Sequence, residues 1–293
     1  MTELADTKLL DFVETHPRLL ILTGAGISTA AGLGDYRDKK GQWKRAQPIT
    51  GQEFIGNELA RKRYWARSCV GWPSFSKAQP TASHKALRVL QQTGHARFLV
   101  TQNVDRLHQK AGHENVIDLH GVLETVSCVQ CKKQLKRDDF QQEITTRNPW
   151  LLTLSAEYAP DGDADLEIDN LDSLKVPECP GCGDILKPDV VFFGESVPRE
   201  VVSTVMQHLS EVDALMVAGS SLMVYSGYRF CKQAEHLDKP LIIVNDGITR
   251  ADEIASLKLT GDCGALLQAL AKQLQTGTTH LQRSDEADDL SDL

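Results

Sequence analysis

The chain has 293 residues, of which 41% are hydrophobic and 25% charged, and it carries a net charge of −8. This composition fits one large globular domain, or a large domain with a small satellite, and the acidity excludes a broad basic surface for nucleic acid. No apolar run approaches the roughly 18 to 20 residues that cross a bilayer, and the opening Met1-Thr2-Glu3-Leu4-Ala5-Asp6 has neither an apolar signal core nor an Arg-rich transit pattern. The expectation is a cytoplasmic protein with no membrane segment.

In chain order, Leu9, Phe12 and Val13 share one face of an opening amphipathic helix. The first strand signal follows, Leu19-Leu20-Ile21-Leu22, and runs into Thr23-Gly24-Ala25-Gly26. The loop Gly24-Ala25-Gly26-Ile27-Ser28-Thr29 begins like a dinucleotide fingerprint, but Thr29 stands where a third glycine belongs. Residues 43–48 also lack the acid that would hold a ribose. A tight turn alone explains both glycines; their place after a buried strand adds phosphate binding through backbone N–H groups. Three further runs repeat the pattern. Phe98-Leu99-Val100 precedes Thr101-Gln102-Asn103-Val104-Asp105, Leu215-Met216-Val217-Ala218 precedes Gly219-Ser220-Ser221, and Leu241-Ile242-Ile243-Val244 precedes Asn245-Asp246-Gly247.

Short runs that are apolar at every position are strands buried on both faces of a parallel sheet. Helical stretches at 84–93, 199–210 and 227–237 separate them. The fold class expected is α/β, with a ligand crevice beyond the carboxyl ends of the strands. Residues 124–187 differ: they hold few apolar runs, an acidic span from Asp161 to Asp172 and two cysteine pairs, and they read as an inserted module. The stretch 276–293 is polar and acidic and is expected to be disordered.

Four of the seven cysteines form Cys128-Val129-Gln130-Cys131 and Cys179-Pro180-Gly181-Cys182. Two such pairs supply four thiolates for a tetrahedral zinc, and a shell of four sulfurs leaves no open position, so the metal would be structural. Disulfides or a redox dithiol are the competing readings, disfavoured by an odd cysteine count without secretory features.

The motifs also occur in a telling order. Gly24-Ala25-Gly26-Ile27-Ser28, Asp35-Tyr36-Arg37, Thr101-Gln102-Asn103-Val104-Asp105, Leu119-His120-Gly121, the cysteine quartet, Lys187-Pro188-Asp189-Val190-Val191-Phe192-Phe193-Gly194-Glu195 and Gly219-Ser220-Ser221-Leu222 follow one another as in sirtuins, which the chain resembles over about residues 10–270. Arg63-Tyr64-Trp65-Ala66-Arg67, Val224-Tyr225-Ser226-Gly227-Tyr228-Arg229-Phe230 and Thr249-Arg250-Ala251-Asp252 look most like class II members.

The resemblance implies a Rossmann-type NAD domain over 1–123 and 188–275, a zinc module over 124–187, and acylated protein substrates entering between them. It assigns Gly24, Ala25, Gly26, Ile27, Ser28, Asp35, Tyr36 and Arg37 to a cofactor loop. Gln102, Asn103 and Asp105 would line the pocket for nicotinamide and its ribose, with Asn103 also catalytic. Gly219, Ser220, Ser221, Asn245, Asp246, Gly247 and Cys263 would surround phosphates and adenosine. Val191, Phe192, Gly194 and Leu222 would hold the peptide, and Tyr64 with Arg67 an acidic acyl group.

His120 matches the family's general base. In the implied reaction the acyl carbonyl oxygen attacks the ribose carbon as nicotinamide leaves. His120 then takes a proton from a ribose hydroxyl, whose oxygen attacks the acyl carbon. Products are lysine, nicotinamide and O-acyl-ADP-ribose. Protein ADP-ribosylation would use the same pocket, and a non-catalytic NAD or acyl-lysine binder or a zinc-based nucleic-acid binder are further alternatives. Three departures stand out: Gly34 replaces a usual proline, Arg106 a usual glycine and Asp118 a usual glutamate. Arg106 is expected to place a cation near the site.

Overall fold

A computed structural model describes residues 2–44, 48–154, 157–158, 164–165 and 171–288, with side chains described for 4–44, 48–154 and 171–276. Most of the acidic span Asp161–Asp172, and the end of the tail (289–293), lie outside the described residues. The chain opens on α1 (Thr2–Thr15) and β1 (Leu19–Thr23), followed by α2 (Gly51–Gly56), α3 (Glu58–Phe75), α4 (Ala82–Gln92), β2 (Ala96–Thr101), the one-turn α5 (Leu107–Lys110) and β3 (Val116–Asp118). The middle holds β4 (Gly121–Cys128), β5 (Gln134–Lys136), α6 (Arg137–Arg147), the short β6 (Glu157–Tyr158) and β7 (Ala164–Asp165), and β8 (Leu186–Val190). Then come α7 (Arg199–Ser210), β9 (Ala214–Ala218), α8 (Tyr225–His236), β10 (Leu241–Val244), β11 (Leu257–Leu259) and α9 (Cys263–Asp288).

Six strands form one parallel sheet in the order β11-β10-β9-β1-β2-β3. This is the doubly wound arrangement, and its strand order reverses between β1 and β9, where such sheets bind ligands. The apolar runs read from the sequence are β1, β2, β9 and β10, and their composition follows from burial on two sides. Leu19 and Ile21 join Ala214, Met216, Ile242 and Val244 in a core covered by α1, α4 and α9. The alternate residues Leu20, Leu22, Leu215, Val217, Leu241 and Ile243 face a second core under α7 and α8. Each fully buried Leu or Ile contributes about 1.5–3 kcal/mol. The helix α9 carries on past Thr276 to Asp288, across the stretch that composition reads as a tail.

The smaller part is a three-stranded sheet, β5-β4-β8, beginning at Gly121 and ending at Val190. Its core is shared with α2 and α3, which lie before β2 in sequence: Phe54, Tyr64, Trp65, Ala66 and Cys69 join Val126, Phe140, Ile144 and Leu186. The buried Arg137 guanidinium lies 4.8 Å from the Trp72 ring centre and 5.5 Å from those of Trp65 and Phe140, fastening α6 to α3. Its charge is offset by aromatic faces and by bonds to Gln141 and Ser68. The boundary of this part therefore includes α3, which positions Tyr64 and Arg67.

Candidate active site

A cleft of about 1640 Å³ lies at the carboxyl ends of β1, β2, β9 and β10 and extends towards α3 and β8. It exceeds the roughly 300–1,000 Å³ of sites for single small ligands and can take a dinucleotide together with a peptide side chain. On its floor the turn after β1 touches the turn after β9. Gly24 N–H donates to Ala218 O (3.1 Å) and Gly26 N–H to Gly219 O (2.8 Å). A Cβ on Gly26 would lie 2.9 Å from the Gly219 Cα, and one on Gly24 would lie 2.7 Å from Ser220 Cβ. Gly219 itself sits at φ +63, with Ile27 N only 2.7 Å from where its Cβ would be. The glycines are thus required by two loops in contact, and the same contact leaves a smooth backbone floor for a phosphate group.

The turn after β2 closes the floor with polar side chains. Gln102 donates to Thr23 O (3.1 Å) and Ser220 Oγ (2.8 Å). Asn103 Nδ2 donates to Gly24 O (3.1 Å) and Ser28 Oγ (3.0 Å). Asp105 accepts from Ser28 Oγ (2.6 Å) and from Leu107 N (2.9 Å), so it both satisfies the first N–H of α5 and orders the site. Burial pushes the Asp105 carboxyl above its ordinary range, opposed by these hydrogen bonds.

His120, just after β3, is held from both ring nitrogens. Nδ1 lies 2.9 Å from Gln102 O, and a carbonyl only accepts, so Nδ1 carries the hydrogen. Nε2 is then the lone pair, and it receives the Ser226 hydroxyl at 2.7 Å. Burial holds the His120 pKa below its ordinary value, and the Arg229 charge acts in the same direction. A neutral imidazole of fixed tautomer, with its lone pair on a cleft wall, has the form that general-base chemistry requires.

Residues 35–44 fold over the opposite rim. Arg37 lies 4.0 Å above the Trp43 ring and donates to Gly41 O (2.7 Å), while Tyr36, Trp43 and Phe193 meet edge to face. Asp35 pairs with Lys44, and Lys39 with Asp246 (2.7 Å) beside Asn245 and Gly247. Of the expected cofactor residues, Ile27 departs. Its side chain is 1% exposed and turns into the core with α4 and α9, its backbone held by Thr81 Oγ1, at the start of α4, on Ile27 O (2.7 Å) and by the Gly219 turn. It supports the loop and does not line the cleft. Cys263 does line it, but burial pushes its thiol up to about 12, so it is no nucleophile.

At the other end, Val191 N–H donates to His120 O (2.8 Å), and Gly51 N–H to Phe193 O (3.0 Å). Phe192 is packed among Phe54 and Tyr64 at ring distances of 5.1 and 5.2 Å. Val191, Phe192, Gly194, Leu222, Tyr64 and Arg67 all border the cleft. The expected cation at Arg106 is neutralised: its guanidinium pairs with Asp118 and Glu124, away from the cleft, and its backbone takes φ +60 where glycine is at ease.

The four cysteine sulfurs lie within 4.8 Å of one another, with Cys128–Cys182 at 3.4 Å and Cys131–Cys179 at 3.5 Å. Disulfide sulfurs sit about 2.05 Å apart, whereas a zinc with bonds of about 2.3 Å spaces its sulfurs about 3.8 Å apart. Two matching loops present them. Cys128 N–H donates to Lys133 O and Cys179 N–H to Asp184 O, each 2.9 Å, and the left-handed residues Lys132 and Gly183 close each loop. The Gly181 N–H favours the thiolate of Cys179 and draws its pKa below the ordinary value. The donor set fits zinc.

Comparison with known proteins decides the family. A model described as Sir2 family matches residues 24–226. The chain belongs to the Sir2 family. The NAD-dependent protein deacetylase 2 of Bradyrhizobium diazoefficiens is 53% identical over 91% of this chain and 98% of its own length. The NAD-dependent protein deacetylase of Xanthomonas campestris pv. campestris is 51% identical over 94% of this chain and 96% of its own. Among solved structures, a Sir2–p53 peptide–NAD+ complex has a TM-score of 0.72 at 28% identity, covering 93% of this chain and 98% of that one. Sir2Tm bound to a propionylated peptide has a TM-score of 0.70 at 27% identity, covering 91% and 97%.

Within this Sir2 chain, His120 and the cysteine quartet fall inside the matched span, while Asn245, Gly247 and Cys263 lie beyond it. Sequence reasoning gave no role to Ser226 and Arg229, which the first turns of α8 bring to the cleft. Their signal was present only as the segment 224–230, since a serine at a helix start has an ordinary reading as a cap. Among the described residues no helix is long and apolar enough to cross a membrane.

Proposed function

We infer that this Sir2 chain is an NAD-dependent protein-lysine deacylase that releases free lysine, nicotinamide and O-acyl-ADP-ribose. The observation that carries the reading is His120, a base with its Nδ1–H given to Gln102 O and its Nε2 lone pair on the cleft wall. NAD supplies a ribose whose bond to nicotinamide is the one that breaks. Gln102, Asn103 and Asp105 bind at the nicotinamide end, with Asn103 tied to Gly24 O and Ser28 Oγ so that it approaches the ribose in one orientation. Gly24, Ala25, Gly26, Ser28, Gly219, Ser220 and Ser221 receive the phosphates, and Asp35, Tyr36 and Arg37 close over them. Asn245, Asp246, Gly247 and Cys263 border the adenosine. The acyl-lysine passes between Val191–Gly194 and Ser221–Val224, against Phe192 and Leu222. The zinc held by Cys128, Cys131, Cys179 and Cys182 keeps the small part folded and takes no part in the chemistry.

The acyl end of the cleft supports a finer reading. Tyr64 and Arg67 are one helical turn apart on α3 and border the cleft together. A guanidinium holds a carboxylate with two parallel hydrogen bonds, and a phenol adds a third. Succinyl- or glutaryl-lysine should therefore be cleaved faster than acetyl-lysine, and Arg67→Met should erase that difference. An unchanged acyl ranking in Arg67→Met removes Arg67 from acyl selection. The reaction class is tested by mass spectrometry of an acylated peptide incubated with NAD. Loss of the acyl group with formation of O-acyl-ADP-ribose supports deacylation; gain of ADP-ribose on the peptide overturns it.

A further inference from the structure

Beyond Val224, where the peptide groove meets α8, the surface changes character. Val224 (37% exposed) and Tyr225 (55%) are exposed together on this rim. Two guanidinium groups border the same aromatic pair. Arg229 lies 5.2 Å from the Tyr225 ring centre, and Arg250 lies 5.7 Å from that of Tyr225 and 4.5 Å from that of Tyr228. Arg250 is tied to the groove strip itself, its N–H donating to Ser221 O (2.9 Å) and its Nη1 to Met223 O (3.4 Å).

Among the described residues neither guanidinium forms an ion pair, and Arg229 Nε is buried without an acceptor. On the loop carrying Arg250, Asp246 is committed to Lys39 (2.7 Å) and Asp252 to Lys258 (2.6 Å), while Glu253 is exposed and, among the described residues, pairs with neither arginine. In a chain of net charge −8, two adjacent cations without a counter-anion form a local field of the opposite sign at the mouth of the groove.

We propose that Tyr225, Arg229 and Arg250 form a subsite that selects an acidic residue of the substrate protein flanking the acyl-lysine. This rests on the peptide-groove reading above. A carboxylate here is met by planar guanidinium forks whose far faces are shielded by aromatic rings, which strengthens each bond relative to a freely solvated pair. Exposed pairs contribute modestly, so two of them give a preference of about three- to tenfold. The preference fades as salt screens the charges.

The test uses fluorescein-labelled acetyl-lysine peptides identical except for Glu, Gln or Lys at one of three positions on either side, with binding read by anisotropy. At low ionic strength one position should give the Glu peptide about three- to tenfold tighter binding than Gln, with Lys weaker still. The gap should close in about 0.5 M NaCl, and in Arg250→Gln even at low salt. Equal affinities for Glu and Lys peptides at every position, or a Glu preference that resists both salt and Arg250→Gln, overturns the proposal. The salt series needs only the unaltered protein, so a variant that fails to fold does not remove the test. Turnover of the Gln peptide with NAD is read separately and bears on the deacylase reading alone.

Discussion

The contact between the turns after β1 and β9 gives the sharpest prediction. In Gly26→Ala the new Cβ would sit 2.9 Å from both Cα and O of Gly219, while carbon atoms in contact prefer about 3.5–4.0 Å. Both obstacles are backbone, and Gly219 is held in turn by its N–H bond to Val244 O (2.9 Å), so neither loop yields without moving its strand end. Overpacking of this kind costs about 1–3 kcal/mol, which for a protein of this size lowers Tm by about 2–5 °C. The same movement spreads the phosphate floor, so NAD affinity should fall about tenfold or more. Gly56→Ala, at the end of α2 with nothing within 4 Å of the new methyl, is the control and should hold or raise Tm. Scanning fluorimetry reads the first quantity and isothermal titration with NAD the second. If Gly26→Ala keeps both Tm and NAD affinity, the glycines do not serve a close approach and the cofactor floor lies elsewhere.

His120→Ala should fold and bind NAD while losing about 10²- to 10⁴-fold in turnover, and activity within about threefold of the parent would exclude it as the base. Burial, aided by Arg229, holds the His120 pKa below its ordinary value, so the base remains neutral as pH falls towards 6. The acid limb of the rate against pH should lie below about 6.5, and a limb at or above pH 7 contradicts a buried, neutral His120. Cys182→Ser should abolish a content of about one zinc per chain measured by atomic emission, and full zinc retention would show that the four sulfurs do not share one ion.

Some of this could be read before any coordinates because the controlling physics is local. A strand such as Leu19–Thr23 is apolar at each of its first four positions because both faces are covered, and that leaves a mark on the sequence itself. The cysteine pairs are legible for the same reason: each loop presents its two sulfurs from within six residues. What escaped depends on segments far apart. The need for glycine at 26 comes from residue 219, and the cation expected at Arg106 is cancelled by Asp118 and Glu124. Ser226 reaches His120 across 106 positions. The part played by α3 was hidden too, since Trp65 and Cys69 are completed by Phe140 and Ile144 from the zinc-bearing side.

The central claim is that one cleft joins NAD cleavage to removal of an acyl group from lysine, with His120 as the base. The most direct measurement counts nicotinamide released and acyl groups removed in one reaction of the zinc-loaded protein with NAD and an acetyl-lysine peptide. Expected is one nicotinamide for each acyl group removed, with almost none formed when the peptide carries unmodified lysine. Nicotinamide released at the same rate from either peptide, or acyl loss that continues without NAD, contradicts the claim.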